Sequence, residues 1–286
     1  MKPPYLTSNI FLDSGNPSDT RKALELLGFL DGQTTNPSLV AKNPHILELK
    51  EQGLLTEETM WPQYKKVAEE IRNSIPHGSI SVEVYADSET SHDDMIAKGR
   101  EIASWFPGIF VKLPITHEGL LAARGLVAEG INVNMTLCFT QEQAAAVHVA
   151  TIGAKHGQVY VSPFIGRLDD QGFHGIDVIK NILLMYRNWN SHVMVLGASI
   201  RGLEHLYGCI NAGTDIITVP LSVIELWHAR GVAEDSHNYE FSVSDKRPIP
   251  YRDISEGDWV LYDIHHELTD KGLATFASDW KNLFAK

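Results

Sequence analysis

The chain has 286 residues, of which 43% are hydrophobic and 21% charged, and it carries a formal net charge of −12. A chain of this length and make-up buries a core without covalent staples, and its acidity excludes the broad basic face that nucleic acid requires. No uninterrupted apolar run approaches the ~20 residues of a membrane span, which leaves a protein with no membrane or nucleic-acid partner that can still hold a small anion through a few local arginines.

Met1-Lys2-Pro3-Pro4-Tyr5 leads into no continuous apolar segment of the signal-peptide kind. Cys138 and Cys209 lack CxxC spacing and sit in apolar segments, so buried free thiols and a cytoplasmic location are expected. Short β-prone runs then recur from end to end, and the pattern predicts strands over 9–13, 29–33, 79–85, 109–113, 132–135, 158–162, 192–196 and 215–219. Helical stretches fall between them. Ser18-Asp19 precedes a helix over 20–27, and helices over 45–55 and 57–73 fill the long gap after the second strand. The run 88–91 precedes a helix ending near Trp105, Thr116-His117-Glu118 opens one over 119–129, and Thr140 stands three residues before Gln143 as in a capping box. Gly130 and Gly213 fall where C-cap glycines do. After about residue 229 come a polar loop (242–255) and a helix over 269–284.

Eight strands alternating with helices call for parallel pairing with helical crossovers. The count and the length fit an α/β fold of one (β/α)8 TIM barrel, typically about 250 residues. It carries extra helices after strand 2 and a C-terminal helical appendage. One domain spans 1–286, with its core at about 9–228 and the appendage at 229–286. A doubly wound open sheet fits less well, because no GxGxxG or P-loop glycine pattern follows the first strand.

Functional side chains of such barrels gather at the C-terminal ends of strands, and polar residues stand there in strand after strand. Strand one ends at Asp13, and strand two runs through Gln33-Thr34-Thr35 into Asn36. Glu83 lies between Val82 and Val84. Lys112 is set in Phe110-Val111-Lys112-Leu113-Pro114, Asn134 and Thr136 share one face of strand five, and Ser162, Phe164 and Arg167 follow strand six. Ser199 and Arg201 follow strand seven. Each has an ordinary alternative: Asp13 as a helix cap, Asn36 before Pro37 as a turn, Glu83 as a structural partner of Lys112, the arginines as surface ion pairs, Lys112 as a strand-end lysine reaching solvent. Together they favour an active site.

The residue types suit an amine nucleophile with carboxylates beside it. An ordinary lysine is neutral in only about one molecule in 2,500 at pH 7. Apolar surroundings raise that fraction and a nearby carboxylate opposes the rise. Asp13 and Glu83 are suitable proton carriers for building and breaking an imine. Asn36, Asn134 and Ser162 can orient the hydroxyls of a polyol, and two arginines can hold a phosphate.

The stretches Phe11-Leu12-Asp13-Ser14, Asp31-Gly32-Gln33-Thr34-Thr35-Asn36-Pro37-Ser38, Ser81-Val82-Glu83, Val111-Lys112-Leu113-Pro114, Asn132-Val133-Asn134-Met135-Thr136-Leu137, Val161-Ser162-Pro163-Phe164-Ile165-Gly166-Arg167, Ala198-Ser199-Ile200-Arg201 and Ala212-Gly213-Thr214-Asp215 resemble the transaldolase family over about 9–227. The resemblance implies a class I aldol transfer on a (β/α)8 barrel with no metal and no organic cofactor. It makes Lys112 the Schiff-base lysine, Asp13 the base at the C4 hydroxyl, and Glu83 with Thr136 and a water the proton relay. Asn36, Asn134 and Ser162 would then contact the sugar, and Phe164 would mark transfer over simple cleavage. The same resemblance implies sugar phosphates as partners, and Arg167, Ser199 and Arg201, which follow the neighbouring strands six and seven, are expected to converge on the phosphate. A homo-oligomeric assembly is compatible with it. Rival readings are a fructose 6-phosphate aldolase, a transaldolase for a sulfosugar, and a sugar-phosphate-binding barrel without activity. The tail departs from the family pattern, and its His265-His266-Glu267 run is expected to be a solvated patch and not a metal site.

Overall fold

Strands form where β-branched and apolar residues can be buried on both faces. The computed structural model describes residues 2–232 and 245–284, and residues 242–244 of the expected polar loop lie outside that range. Eight strands are found: β1 (Asn9–Asp13), β2 (Gly32–Thr34), β3 (Ser79–Glu83), β4 (Ile109–Pro114), β5 (Val133–Cys138), β6 (Val159–Pro163), β7 (Val193–Gly197) and β8 (Ile216–Val219). Each pairs in parallel with its neighbour in sequence, and β8 returns to β1 to close the barrel. No helix among the described residues is long and apolar enough to cross a membrane.

Helices α1 (Pro17–Leu27), α2 (Pro37–Val40), α3 (Pro44–Glu51), α4 (Glu57–Ser74), α5 (His92–Ala103), α6 (His117–Ala128), α7 (Gln141–Ala150), α8 (Ile165–Asp170), α9 (Ile176–Asn188) and α10 (Leu203–Ala212) connect the strands, and α11 (Leu221–Ala229) follows β8. The helices expected after β2, over 45–55 and 57–73, are α3 and α4, and α2 before them is one that the sequence pattern had not marked. The short α8 after β6 is a further one, which the sequence pattern had not marked. The Thr140–Gln143 capping box is present, and Gly213 caps α10 in the left-handed conformation. Helix α1 starts earlier than Ser18-Asp19 suggests. Asn16 caps it and Pro17 occupies the first turn, where a proline's missing N–H costs nothing. Asp13 therefore takes no part in capping.

Inside the barrel the lower layer is aromatic, with Phe110 stacked on Tyr160 at 4.0 Å and Phe11 edge-on to Tyr160 at 6.3 Å. The layer above it, at the C-terminal ends of the strands, is polar. Strand β5 ends irregularly: its register against β6 shifts between Met135 and Cys138, and Leu137 takes a left-handed φ of 62°. The kink frees the Leu137 carbonyl to accept a hydrogen bond from Thr269 at 2.9 Å.

Thr269 belongs to the appendage, which is a 3-10 turn (Trp259–Leu261) and the helix α12 (Glu267–Asn282). Helix α12 lies over the C-terminal mouth. Asp279 accepts from Ser38 of α2, Lys50 of α3 donates to the Asn282 carbonyl at 2.7 Å, and Lys281 pairs with Asp87 at 3.1 Å. Trp280 packs 4.8 Å from Trp61 of α4. In the His265-His266-Glu267 run, His265 and Glu267 are exposed as expected. His266 is a correction: it caps α12 through Leu268 N–H and stacks on Phe139 at 5.1 Å. Cys138 and Cys209 are both buried and unpaired.

Candidate active site

A cavity of about 360 Å³ opens at the C-terminal mouth, walled by Asp13, Asn36, Lys112, Ser162, Phe164, Arg167, Ser199 and Arg201 among others. Glu83, Asn134 and Thr136 lie buried behind this wall. The residues expected from the sequence are thus brought together at one place, most of them on the surface of the cavity and three in its support.

Lys112 points into the barrel, with only 5% of its side chain exposed, so it is no snorkelling strand-end lysine. Register explains its company. Glu83 is its Cα partner on β3 and Asn134 its partner on β5. Its Nζ lies 3.0 Å from Glu83 Oε2 and 3.2 Å from the Thr35 carbonyl. Burial pushes the Glu83 carboxyl up, while Lys112 and, at longer range, Arg167 pull it down; the net shift is upward. Glu83 is thus a structural partner of Lys112, and its carboxylate stands within reach of the amine.

Asp13 accepts from Thr34 Oγ1 at 2.8 Å, and Thr34 in turn meets Thr218 of β8 at 2.5 Å. Burial raises the Asp13 carboxyl above its ordinary value against the opposing pull of Lys112 and Thr34. A carboxylate displaced upward is better matched to taking a proton near neutrality. On the other side, Ser162 donates to Asn134 Oδ1 at 2.6 Å and Asn134 Nδ2 donates to Ser81 Oγ at 3.1 Å. That orders the amide and leaves its second N–H for a ligand. Asn36 uses its side-chain oxygen to cap α2 at Leu39 N–H, 2.8 Å away, and keeps its amide nitrogen for the cavity. Thr136 stands one same-face position beyond Asn134, and its buried hydroxyl has no partner among the described residues. A group of that kind is satisfied by a water or a substrate atom.

Helix α8 and the loop after β7 each bring a cation. The Arg167 guanidinium lies 5.1 Å from the Phe164 ring and 5.5 Å from the Phe276 ring of α12. Arg201 is more exposed and pairs with Asp170 at 3.0 Å, so its ordinary reading as a surface ion-pair former is also correct. The helix and the loop are joined where Gly166 N–H donates to the Ser199 carbonyl at 3.1 Å. A Cβ at 166 would sit 2.1 Å from that oxygen. Ser199 holds a left-handed φ of 60°, a strained state that persists where surrounding contacts over-determine it. One such contact runs from Arg201 N–H to His205 Nδ1 at 3.1 Å, with His205 Nε2 2.9 Å from Asp169. Burial alone would raise Asp169, but His205, Lys246 and the Gly175 N–H draw it down to about 2.

Sequence reasoning did not single out Thr218, Ser38, Lys42, Thr275, Phe276 or Asp279, all of which line the cavity. Threonines at strand ends read as β-formers. The α12 residues lie far along the chain from the strands they cover.

The chain has extensive relatives. A profile described as Transaldolase/Fructose-6-phosphate aldolase matches residues 10–286. A protein of Caulobacter sp. described as a probable transaldolase is 36% identical over 273 residues, covering 95% of each chain. Proteins with the same description from Dehalococcoides mccartyi and Parabacteroides distasonis are 34% and 35% identical, each match covering 96% of this chain and 98% of the relative.

Proposed function

The chain belongs to the transaldolase/fructose-6-phosphate aldolase family, and from that premise we propose that it transfers a dihydroxyacetone unit between sugar phosphates through a Schiff base on Lys112. The observation that carries this reading is a lysine amine buried in a barrel, within 3.0 Å of a carboxylate and on the wall of a cavity that Asp13 also lines. Lys112 Nζ attacks the C2 carbonyl of a ketose phosphate, and the carbinolamine loses water to give an iminium. Glu83 and Thr136 move protons in this step through a bound water. Asp13 then takes the C4 hydroxyl proton as the C3–C4 bond breaks. The bonding pair flows into the iminium, leaving an enamine on Lys112 and releasing an aldose phosphate. A second aldose phosphate accepts the enamine carbon, Asp13 returns its proton, and water frees the new ketose.

Arg167, Ser199 and Arg201 hold the phosphate, and Asn36, Asn134 and Ser162 hold the hydroxyls. The expected pair is sedoheptulose 7-phosphate with glyceraldehyde 3-phosphate, giving erythrose 4-phosphate and fructose 6-phosphate in the pentose phosphate pathway. Two buried unpaired thiols suit the cytoplasm.

Transfer is favoured over simple cleavage by Phe164, which lines the cavity beneath Arg167. A phenyl ring offers a water no donor or acceptor. Borohydride reduction with fructose 6-phosphate should leave a three-carbon adduct on Lys112 alone. An adduct on another lysine, or none with any ketose phosphate, would sink the imine mechanism. Phe164→Tyr should increase acceptor-independent release of dihydroxyacetone; wild-type release already rapid without acceptor would place the protein with the aldolases.

A further inference from the structure

The amine of Lys112 lies against two oxygens, the Thr35 carbonyl to which it donates and the Glu83 carboxylate with which it pairs, and both belong to residues tied to one phenol. Tyr64, buried on α4, has its hydroxyl 2.6 Å from Thr35 Oγ1 and accepts the Glu83 backbone N–H at 3.4 Å. The direction of this chain follows by elimination. Thr35 Oγ1 has one proton, which it gives to the Ser81 carbonyl at 2.8 Å. The contact with Tyr64 must therefore be donated by the phenol. The order is Glu83 N–H to Tyr64, Tyr64 O–H to Thr35, and Thr35 O–H to Ser81.

We propose that Tyr64 is a positioning residue for the nucleophile: through Thr35 and Glu83 it sets the two oxygens that orient the Lys112 amine. A neutral amine has two N–H bonds and one lone pair. Its hydrogen bond to the Thr35 carbonyl at 3.2 Å and its ion-pair contact with Glu83 Oε2 at 3.0 Å limit how the amine can turn, and the lone pair takes a direction that those two oxygens leave open. Lys112 lines the cavity, and that direction is the one available to a bound ketone. A small displacement of the Thr35 carbonyl would re-aim the lone pair while leaving Arg167, Ser199 and Arg201 in place. Orientation of this kind is a large part of what an active site contributes to rate. Burial keeps the phenol protonated, and so a donor, across the working pH range. Its ring is fixed by Trp61, stacked at 6.0 Å, and Trp105, edge-on at 6.2 Å.

The proposal rests on the Schiff-base reading above, and its test separates the two. The measurements are the rate of borohydride-trappable adduct formation with fructose 6-phosphate in single turnover, steady-state kcat and KM, and inhibition by inorganic phosphate. Tyr64→Phe keeps the ring and removes the relay. Thr35→Val removes the hydroxyl that accepts from the phenol, and so the same hydrogen bond from the other side, and Thr35→Ser restores it. Tyr64→Phe and Thr35→Val should each slow adduct formation and lower kcat by about tenfold, the scale of one lost buried hydrogen bond. KM and phosphate inhibition should stay within about twofold, and Thr35→Ser should recover most of the rate. Adduct formation at the wild-type rate in Tyr64→Phe, or in Thr35→Val should the first variant not fold, overturns the proposal alone. A wild-type protein that traps no adduct removes the premise and the proposal together.

Discussion

Burial disfavours the charged form of Asp13, and that cost is measurable. Its carboxyl is raised in the folded state, with burial the largest cause. A raised carboxyl favours the fold fully below its unfolded pKa, and this contribution is lost as pH rises through the folded value. Asp13→Asn should therefore abolish turnover yet stabilise the protein near neutral pH by on the order of 1 kcal/mol. Denaturant melts of both proteins should converge as pH falls into the ordinary carboxylate range; a gap that widens in acid contradicts the sign. The two arginines should also differ. Arg201 shares its charge with Asp170 at 3.0 Å, whereas Arg167 is more enclosed and packed between two rings. Arg167→Ala should raise KM for fructose 6-phosphate by about 10- to 100-fold, as for loss of a charge-assisted bond. Arg201→Ala should raise it less, and neither should alter KM for unphosphorylated fructose as much. Lys112, Asp13, Glu83 and Asn134 were legible because a polar group inside an apolar strand needs a reason. Tyr64 and Thr35 were not, since a tyrosine on a helix and a threonine at a strand end look like ordinary core and ordinary strand.

Among the elements, α12 shows how a helix outside the eight βα units becomes part of the site. A Cβ placed on Gly272 would sit 2.5 Å from Leu137 Cδ2 and 2.7 Å from Arg167 Nη1. In a free helix Gly→Ala gains about 1 kcal/mol, but here the new methyl must displace the guanidinium or the helix. Gly272→Ala should raise KM for sugar phosphates several-fold with little change in the trapping rate at saturating substrate. An unchanged KM would show that α12 tolerates the shift. The appendage was legible as a helix from its periodicity. Its position over the mouth was not, because Ser38 and Asp279 meet across 241 residues and no local pattern encodes that contact. Strand β2 begins at Gly32 where the apolar run suggested 29–33, since its register is set by β1 and β3 and not by its own composition.

For the molecule as a whole, a net charge of −12 surrounds a site designed around cations. Long-range repulsion opposes an anionic substrate while Arg167 and Arg201 attract it at short range, and salt screens both, with a Debye length of about 10 Å at 0.1 M. Because contacts at the arginines are partly buried, screening should act first on the exposed acidic surface. KM for fructose 6-phosphate should then change little or fall between low salt and ~0.1 M and rise beyond it. A monotonic steep rise from the lowest salt would mean the local field dominates throughout.

The seam between β8 and β1 carries a consequence for the order in which the protein matures. Thr34 and Thr218 meet across 184 residues, whereas Glu83 and Lys112 stand on adjacent strands joined by one helix. Contacts of such long sequence separation are the slow ones in folding. On refolding from denaturant, the lysine and its carboxylate can therefore be assembled while Asp13 still lacks its support. Recovery of turnover should coincide with the slowest phase seen by tryptophan fluorescence, and activity that returns ahead of that phase would show that the proton-accepting side of the site forms before the ring is shut.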